Sequence, residues 1–209
     1  IYFSPDKQVS DIETVLAQNP DIIISIPTDA TATSAAYKKV AEAGVTVVFM
    51  DQPANDLEAG KDYVSVVSAD NYGNGVASAH ILANSIGKKG KIAALYHDAD
   101  FFVTEQRYEG FKKTIEEEYP DIQIIAEKGV SDSDLVAQSQ QQADAIINQN
   151  PDLAGMWAPW DVPAEGVMAA ARSAGRNDLK ITTIDLGESV GVAMAQNQLI
   201  SGTSAQRPY

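Results

Sequence analysis

Gln18-Asn19-Pro20-Asp21-Ile22-Ile23-Ile24-Ser25-Ile26-Pro27-Thr28-Asp29 and Gln149-Asn150-Pro151-Asp152-Leu153-Ala154-Gly155-Met156-Trp157-Ala158-Pro159-Trp160-Asp161 are two versions of one phrase. Each opens on Gln-Asn-Pro-Asp, runs through a strand-sized apolar segment, and closes on a proline with an aspartate two residues later. The likeness continues downstream. Ala43-Gly44, an apolar run and Asp51 recur as Ala174-Gly175, an apolar run and Asp185. A helix–strand–helix–strand module is therefore present twice, and in both copies the second strand ends on an aspartate.

Around these copies, segments of strand and helix period alternate with short connections. Ser10-Asp11-Ile12-Glu13 has the spacing of a capping box, with Ile12, Val15 and Leu16 on one helical face. Strands are predicted over 21–26, 45–50, 63–67, 91–96, 122–127, 153–157, 180–184 and 200–205. Helices are predicted over 31–43, 71–87, 104–118, 134–149, 162–174 and 188–196. Gly44, following the second helix, suits a left-handed C-cap. Such alternation means right-handed βαβ units and mostly parallel sheets. The fold class is α/β, with two lobes of similar topology.

Composition removes several functions. A net charge of −14, with 15 basic residues scattered along the chain, argues against nucleic acid as a partner. No apolar run approaches the roughly 20 residues of a membrane span. With no cysteine there is no disulfide framework and no thiolate nucleophile. Gly73-Asn74-Gly75-Val76-Ala77-Ser78 imitates a dinucleotide fingerprint but ends on serine and lacks the acidic residue about 20 positions later. Close helix packing explains it better. His80 and His97, the two histidines, have no metal-ligand spacing. Asp98-Ala99-Asp100 and Ser131-Asp132-Ser133-Asp134 lack the length and closing glutamate of a calcium loop. No nucleophile–base constellation stands out, so the chain is expected to bind rather than catalyse, without cofactor or metal.

Ligands of open parallel sheets sit outside the carboxyl ends of the strands. Asp51, Gln52, Trp160, Asp161 and Asp185 fall at such ends, and facing lobes would bring them to one cleft. A carboxylate can accept two hydrogen bonds from a vicinal diol, which suits a sugar or polyol. Arg107, at the start of the helix after strand 91–96, carries a fork able to reach the same cleft and offset the aspartates. Trp160 offers a flat face to the C–H side of a sugar ring. Asp161 has an alternative role as the N-cap of its helix. Trp157, mid-strand, belongs to the core.

The run Asp21 to Asp29, the segment Ala43 to Asp51, Arg107-Tyr108-Glu109-Gly110-Phe111, Ile181 to Asp185 and Ala205-Gln206 together resemble the ribose-type sugar-binding proteins of bacterial ABC importers. The resemblance covers essentially all 209 residues. It implies the type I periplasmic-binding fold, with two Rossmann-like lobes closing on a sugar by a hinge. It also implies an extracytoplasmic monomer that delivers its ligand to a membrane permease. In that frame Asp51 and Asp185 bind hydroxyls, Arg107 is the arginine of the R-x-x-G-F pattern, and Gln206 is the glutamine near the second crossover. Two positions depart from the pattern: Gln52 stands where arginine is common, and Trp160 where asparagine is common. The mapping sets an incomplete first lobe at 1–69, a second lobe at 70–205 and the start of the second crossover at 206–209. The alternative is the effector-binding core of a LacI-type repressor, which shares the fold. The segment Asn177 to Leu186 is closer to the transport receptors.

Overall fold

The structure, a computed structural model, describes residues 4–131 and 134–206. Asp132 and Ser133 of the calcium-like fragment, and residues 207–209 of the expected crossover, lie outside them. The chain divides into two compact units. One comprises the chain through Ala69 together with Ala99–Val103. The other comprises Asp70–Asp98 and the chain from Thr104.

The first unit carries α1 (Pro5–Leu16), β1 (Ile22–Ser25), α2 (Ser34–Glu42), β2 (Thr46–Met50) and β3 (Ser65–Val67). Its three strands are parallel in the order β1-β2-β3. Helix α1 starts ahead of the capping box expected at Ser10. Ser4 is the N-cap, accepting from Lys7 N–H, and Pro5 opens the helix. Proline there gives up only an N–H that a first turn leaves unpaired anyway, so Ser4-Pro5 outcompetes the later signal. Ser10 becomes an interior residue whose carbonyl accepts from Thr14 Oγ1 at 2.9 Å. Helix α2 begins later than predicted because Asp29 Oδ1 accepts from the backbone of Thr31 and Ala32, holding that stretch as a turn.

One face of this sheet buries Ile23, Val47 and Phe49 against Ile12, Ala36, Tyr37 and Val40. Their strand neighbours Ile22, Ile24, Met50 and Val67 are exposed on the other face. Parallel strands usually read apolar throughout because both faces are buried. These read that way with one face open to solvent.

The second unit carries α3 (Asn71–Ser85), β4 (Gly90–His97), α4 (Phe102–Glu118) from Thr104 onward, β5 (Ile122–Val130), α5 (Leu135–Gln149), β6 (Leu153–Trp157), α6 (Asp161–Ser173), β7 (Lys180–Ile184), α7 (Glu188–Ala195) and β8 (Ile200–Ser204). All strand pairs are parallel, in the order β5-β4-β6-β7-β8. Helices cover both faces. Leu95, Met156 and Ile181 pack with Ala143, Val167 and Ala171 on one side. Ile92, Trp157 and Ile184 pack with Leu82 and Phe111 on the other. Trp157 is fully buried, stacks on Phe111 with ring centres 4.5 Å apart, and donates its indole N–H to Ser78 Oγ. Among the described residues, no helix is long and apolar enough to cross a membrane.

The glycine run at 73–78 is a packing device. A Cβ on Gly75 would lie 2.1 Å from Arg107 O, and one on Gly110 would lie 2.3 Å from Tyr72 O. Helices α3 and α4 therefore cross backbone to backbone, each through a glycine. Gly44 and Gly175 differ in kind. Both have positive φ, +78° and +68°, and a Cβ added at either would meet nothing within 4 Å. Each closes its helix with the same pair of bonds: Gly44 N–H to Ala41 O and Val45 N–H to Val40 O, then Gly175 N–H to Arg172 O and Arg176 N–H to Ala171 O.

Substitution should separate the two kinds of glycine. Gly44→Ala should cost about 1 kcal/mol, the usual penalty of a left-handed non-glycine residue. Gly75→Ala must push two helix backbones apart, and should cost about 3 kcal/mol or more. Urea denaturation of the two variants checks the order. Equal losses would contradict the crossing.

Candidate functional site

Strand ends in both units place their aspartates by the same backbone device. Asp51 follows β2 with φ +65°, and Asp185 follows β7 with φ +68°. Asp51 N–H donates to Val67 O at 2.8 Å, and Asp185 N–H donates to Ser204 O at 2.8 Å. In each case the left-handed residue tips its chain off the sheet while its amide still completes the ladder with the neighbouring strand. Aspartate tolerates this conformation better than most side chains, though at a cost. Strain of this kind, repeated at the same place in two modules, is what a functional strand end is expected to store.

The prolines after β1 and β6 are equivalent too. Pro27 O accepts from Gln52 Nε2 at 3.0 Å, and Pro159 O accepts from Arg107 Nη1 at 3.1 Å. Both donors are buried, so each proline carbonyl satisfies a side chain that could not stay unpaired. Beyond that point the copies diverge. In the second unit Arg107 Nη1 also donates to Asp185 Oδ2 at 2.9 Å. The arginine side chain is 4% exposed and the aspartate 32%. Arg107 Nε is buried without an acceptor among the described residues. The pair is thus anchored on its cationic side and open on its anionic side. Among the described residues, no side-chain hydrogen bond reaches Asp185 Oδ1.

Trp160 and Asp161 stand beside this pair. Trp160, in extended backbone at the N-cap of α6, makes no side-chain cap bond. Asp161 is the first helical residue of α6, one position inside the N-cap. Its carboxylate lies against Gly187, where a Cβ would come 2.3 Å from Oδ2. Among the described residues no Lys or Arg side chain pairs with Asp161. Burial raises its pKa above the ordinary 3.8, and the Asp185 charge raises it further. The half-buried Trp160 ring packs edge-on with His97, centres 5.0 Å apart.

The structure therefore brings Arg107, Asp185, Trp160 and Asp161 together at the carboxyl ends of β6 and β7. Asp51 takes the equivalent place in the first unit. Gln52 is a correction. Expected to face a ligand, it is 1% exposed, with Nε2 on Pro27 O and Oε1 accepting Phe102 N–H at 2.8 Å. Both ends of the amide are spent on backbone, tying Ala99–Val103 to the first unit. Gln206 lies two residues beyond β8 and is half-buried, and among the described residues no hydrogen bond joins it to the cluster. Pro159 O, Gly187 and the contact of His97 with Trp160 escape a reading of the sequence. Pro27 and Pro159 are in the repeated phrase, but nothing in one sequence says that their carbonyls do the work. Among the described residues, no group of His, Asp and Glu side chains could hold a metal ion.

With this geometry in place, the comparisons are specific. The chain belongs to the family described as the periplasmic binding protein domain, whose model matches residues 2–209. The ribose import binding protein RbsB of Bacillus subtilis (strain 168) is 29% identical over 202 residues, covering 97% of this chain and 63% of that protein. A solved ABC transporter solute binding protein from Agrobacterium vitis, bound with α-D-tagatopyranose, matches with TM-score 0.83 and 28% identity, covering 94% of this chain and 67% of that one. The ribose operon repressor of Halalkalibacterium halodurans is 28% identical over 182 residues, covering 82% of this chain and 47% of the repressor. The fold is that of the type I periplasmic binding proteins, and the chain spans less than two thirds of the length of RbsB.

The upward shift at Asp161 has a sign that can be tested. A carboxyl whose folded pKa is raised costs the folded state stability wherever it is ionised. That cost fades as pH falls through the raised value, and is gone below the ordinary 3.8. Asp161→Asn should therefore melt higher than wild type near pH 7, with the gain shrinking on acidification. A gain independent of pH, or a loss at neutral pH, would contradict the environment described.

Proposed function

We propose that this chain is the ligand-binding part of an extracytoplasmic receptor of a bacterial ABC importer, and that it takes a sugar or polyol. Arg107 clamped on Asp185 at the carboxyl end of β7 is the observation that carries the reading. A buried guanidinium fixes one carboxylate oxygen, so the other is held in place before any ligand arrives. Pre-orientation of this kind lowers the ordering cost of binding. Asp161 adds a second acceptor. Asp51 is the counterpart supplied by the first unit, placed by the same backbone turn. Trp160 is the apolar surface for the C–H face of a sugar ring, since ring sugars present one such face and acyclic polyols do not. The role is binding: the cluster offers a ligand acceptors, a cation and an aromatic face. The implied partner is the importer's membrane permease, and the implied location is the periplasm or the outer cell surface.

The repressor relative favours a second reading, an effector-binding core that acts on DNA through another domain. Its likeness covers less of this chain than that of RbsB does, 82% against 97%. The transport reading is preferred for that reason.

Calorimetry of the full-length protein with ribose, allose, tagatose and their reduced polyols tests the proposal. Asp185→Ala should cost about 1.5–3 kcal/mol of affinity, roughly 10- to 150-fold, for the hydrogen bond to a charged acceptor. It also leaves Arg107 buried without its counter-charge, so the melting temperature should fall as well. Trp160→Ala should cost on the order of 1 kcal/mol, and should change the ranking of epimers. Binding within about threefold of wild type for Asp185→Ala would remove Asp185 from the site.

A further inference from the structure

We infer that His97 is a positioning residue for Trp160, and through it sets which sugars the receptor accepts. This rests on the reading of Trp160 as part of the ligand site. Trp160 occupies the N-cap of α6 in extended backbone, φ −161° and ψ −179°, with no side-chain hydrogen bond in the cap. Its backbone does not define where its ring lies, because an extended residue ahead of a helix leaves several side-chain rotamers open. The ring packs against His97, the last residue of β4, at 5.0 Å between centres and 77° between planes. Edge-to-face packing of this kind is directional, which fixes orientation as well as distance.

His97 is in turn fixed. Its Nδ1 lies 3.0 Å from Thr104 Oγ1 on α4, and Thr104 is itself buried. Burial lowers the pKa of the imidazole, opposed by the charge of Asp98. A chain of contacts therefore runs from α4 through Thr104 and His97 to the indole. Arg107 stands one turn further along the same helix, bonded to Asp185 and to Pro159 O beside Trp160. One helix thus sets both the polar and the aromatic elements of the site, by separate routes. His97 matters to ligand choice because a sugar epimer is told apart by where its axial hydroxyl meets a flat surface. A freely tilting indole would accept either face.

The test is a double-mutant cycle on ligand affinity in the full-length protein, using D-ribose, D-allose and D-tagatose as probes. His97→Ala should weaken the preferred sugar about fivefold and flatten the ranking of the three, the same outcome expected of Trp160→Ala. In the Trp160→Ala background, His97→Ala should change affinity by less than about twofold, because the residue acts through the indole. His97→Phe keeps a ring edge against Trp160, and should retain the wild-type ranking. His97→Gln keeps a hydrogen-bonding group for Thr104 but no ring, and should lose it. These last two keep the test decisive if His97→Ala folds poorly. Additive losses in the cycle, or a wild-type ranking in His97→Gln, would overturn the positioning role while leaving the receptor reading intact. No effect of Trp160→Ala on the ranking would remove Trp160 from the site, and His97 with it. Failure of all three sugars and of their reduced polyols to bind would overturn the receptor reading itself.

Discussion

A guanidinium taken out of water must find acceptors or be lost from the fold, and Arg107 is almost wholly out of water. Its position is dictated from behind and satisfied from in front. Behind, its carbonyl lies so close to Gly75 that no side chain fits between the helices. In front, Pro159 O and Asp185 Oδ2 accept from one terminal nitrogen. Each acceptor belongs to a different strand end, so the arginine joins α4 to the loops after β6 and β7. Desolvation is recovered only with both acceptors in place, which makes their placement a condition of the fold as well as of the site. Asp185 completes this by adopting a left-handed backbone, whose strain is offset by its amide bond to Ser204 and its ion pair.

The first unit solves the same backbone problem with a neutral group. There the proline carbonyl takes its hydrogen bond from Gln52, and the other end of that amide holds the backbone of Phe102. A glutamine both donates and accepts, so it can bridge two main-chain groups; an arginine can only donate. The exchange turns the residue after Asp51 from a possible ligand contact into an internal tie. The left-handed aspartate and the helix-ending glycine remain alike in both units, while the buried donor differs.

Much of this is legible in the sequence because the repeated phrase carries its own checks. Strand–helix alternation dictates the parallel sheets, since parallel strands need crossovers and crossovers have one hand. The aspartates are found from their place at strand ends, and Arg107 from its place at the start of a helix. The terminal signals are weaker guides. Ser10 has good capping-box spacing, yet Ser4-Pro5 starts the helix, because local signals compete and proline at the first position constrains the chain more. The fates of Gln52 and His97 cannot be read at all. Each depends on a partner far along the chain, Phe102 for one and Trp160 for the other, and no local pattern encodes such a meeting. The glycine run shows the opposite case: its lack of a complete fingerprint is legible, and helix crossing is what the structure gives it.

Arg107 holds Asp185 ready for a ligand, and the arginine Nε–H reports on that directly. Buried away from solvent, it should give a slowly exchanging side-chain signal in the nitrogen-15 NMR spectrum of the full-length protein, assigned by its absence in Arg107→Lys. On titration with the sugar that binds best, this signal should shift in step with saturation, as a hydroxyl on Asp185 Oδ1 redistributes charge in the pair. A signal that stays put while backbone amides elsewhere follow the ligand would place the sugar away from Arg107 and Asp185, and contradict the site.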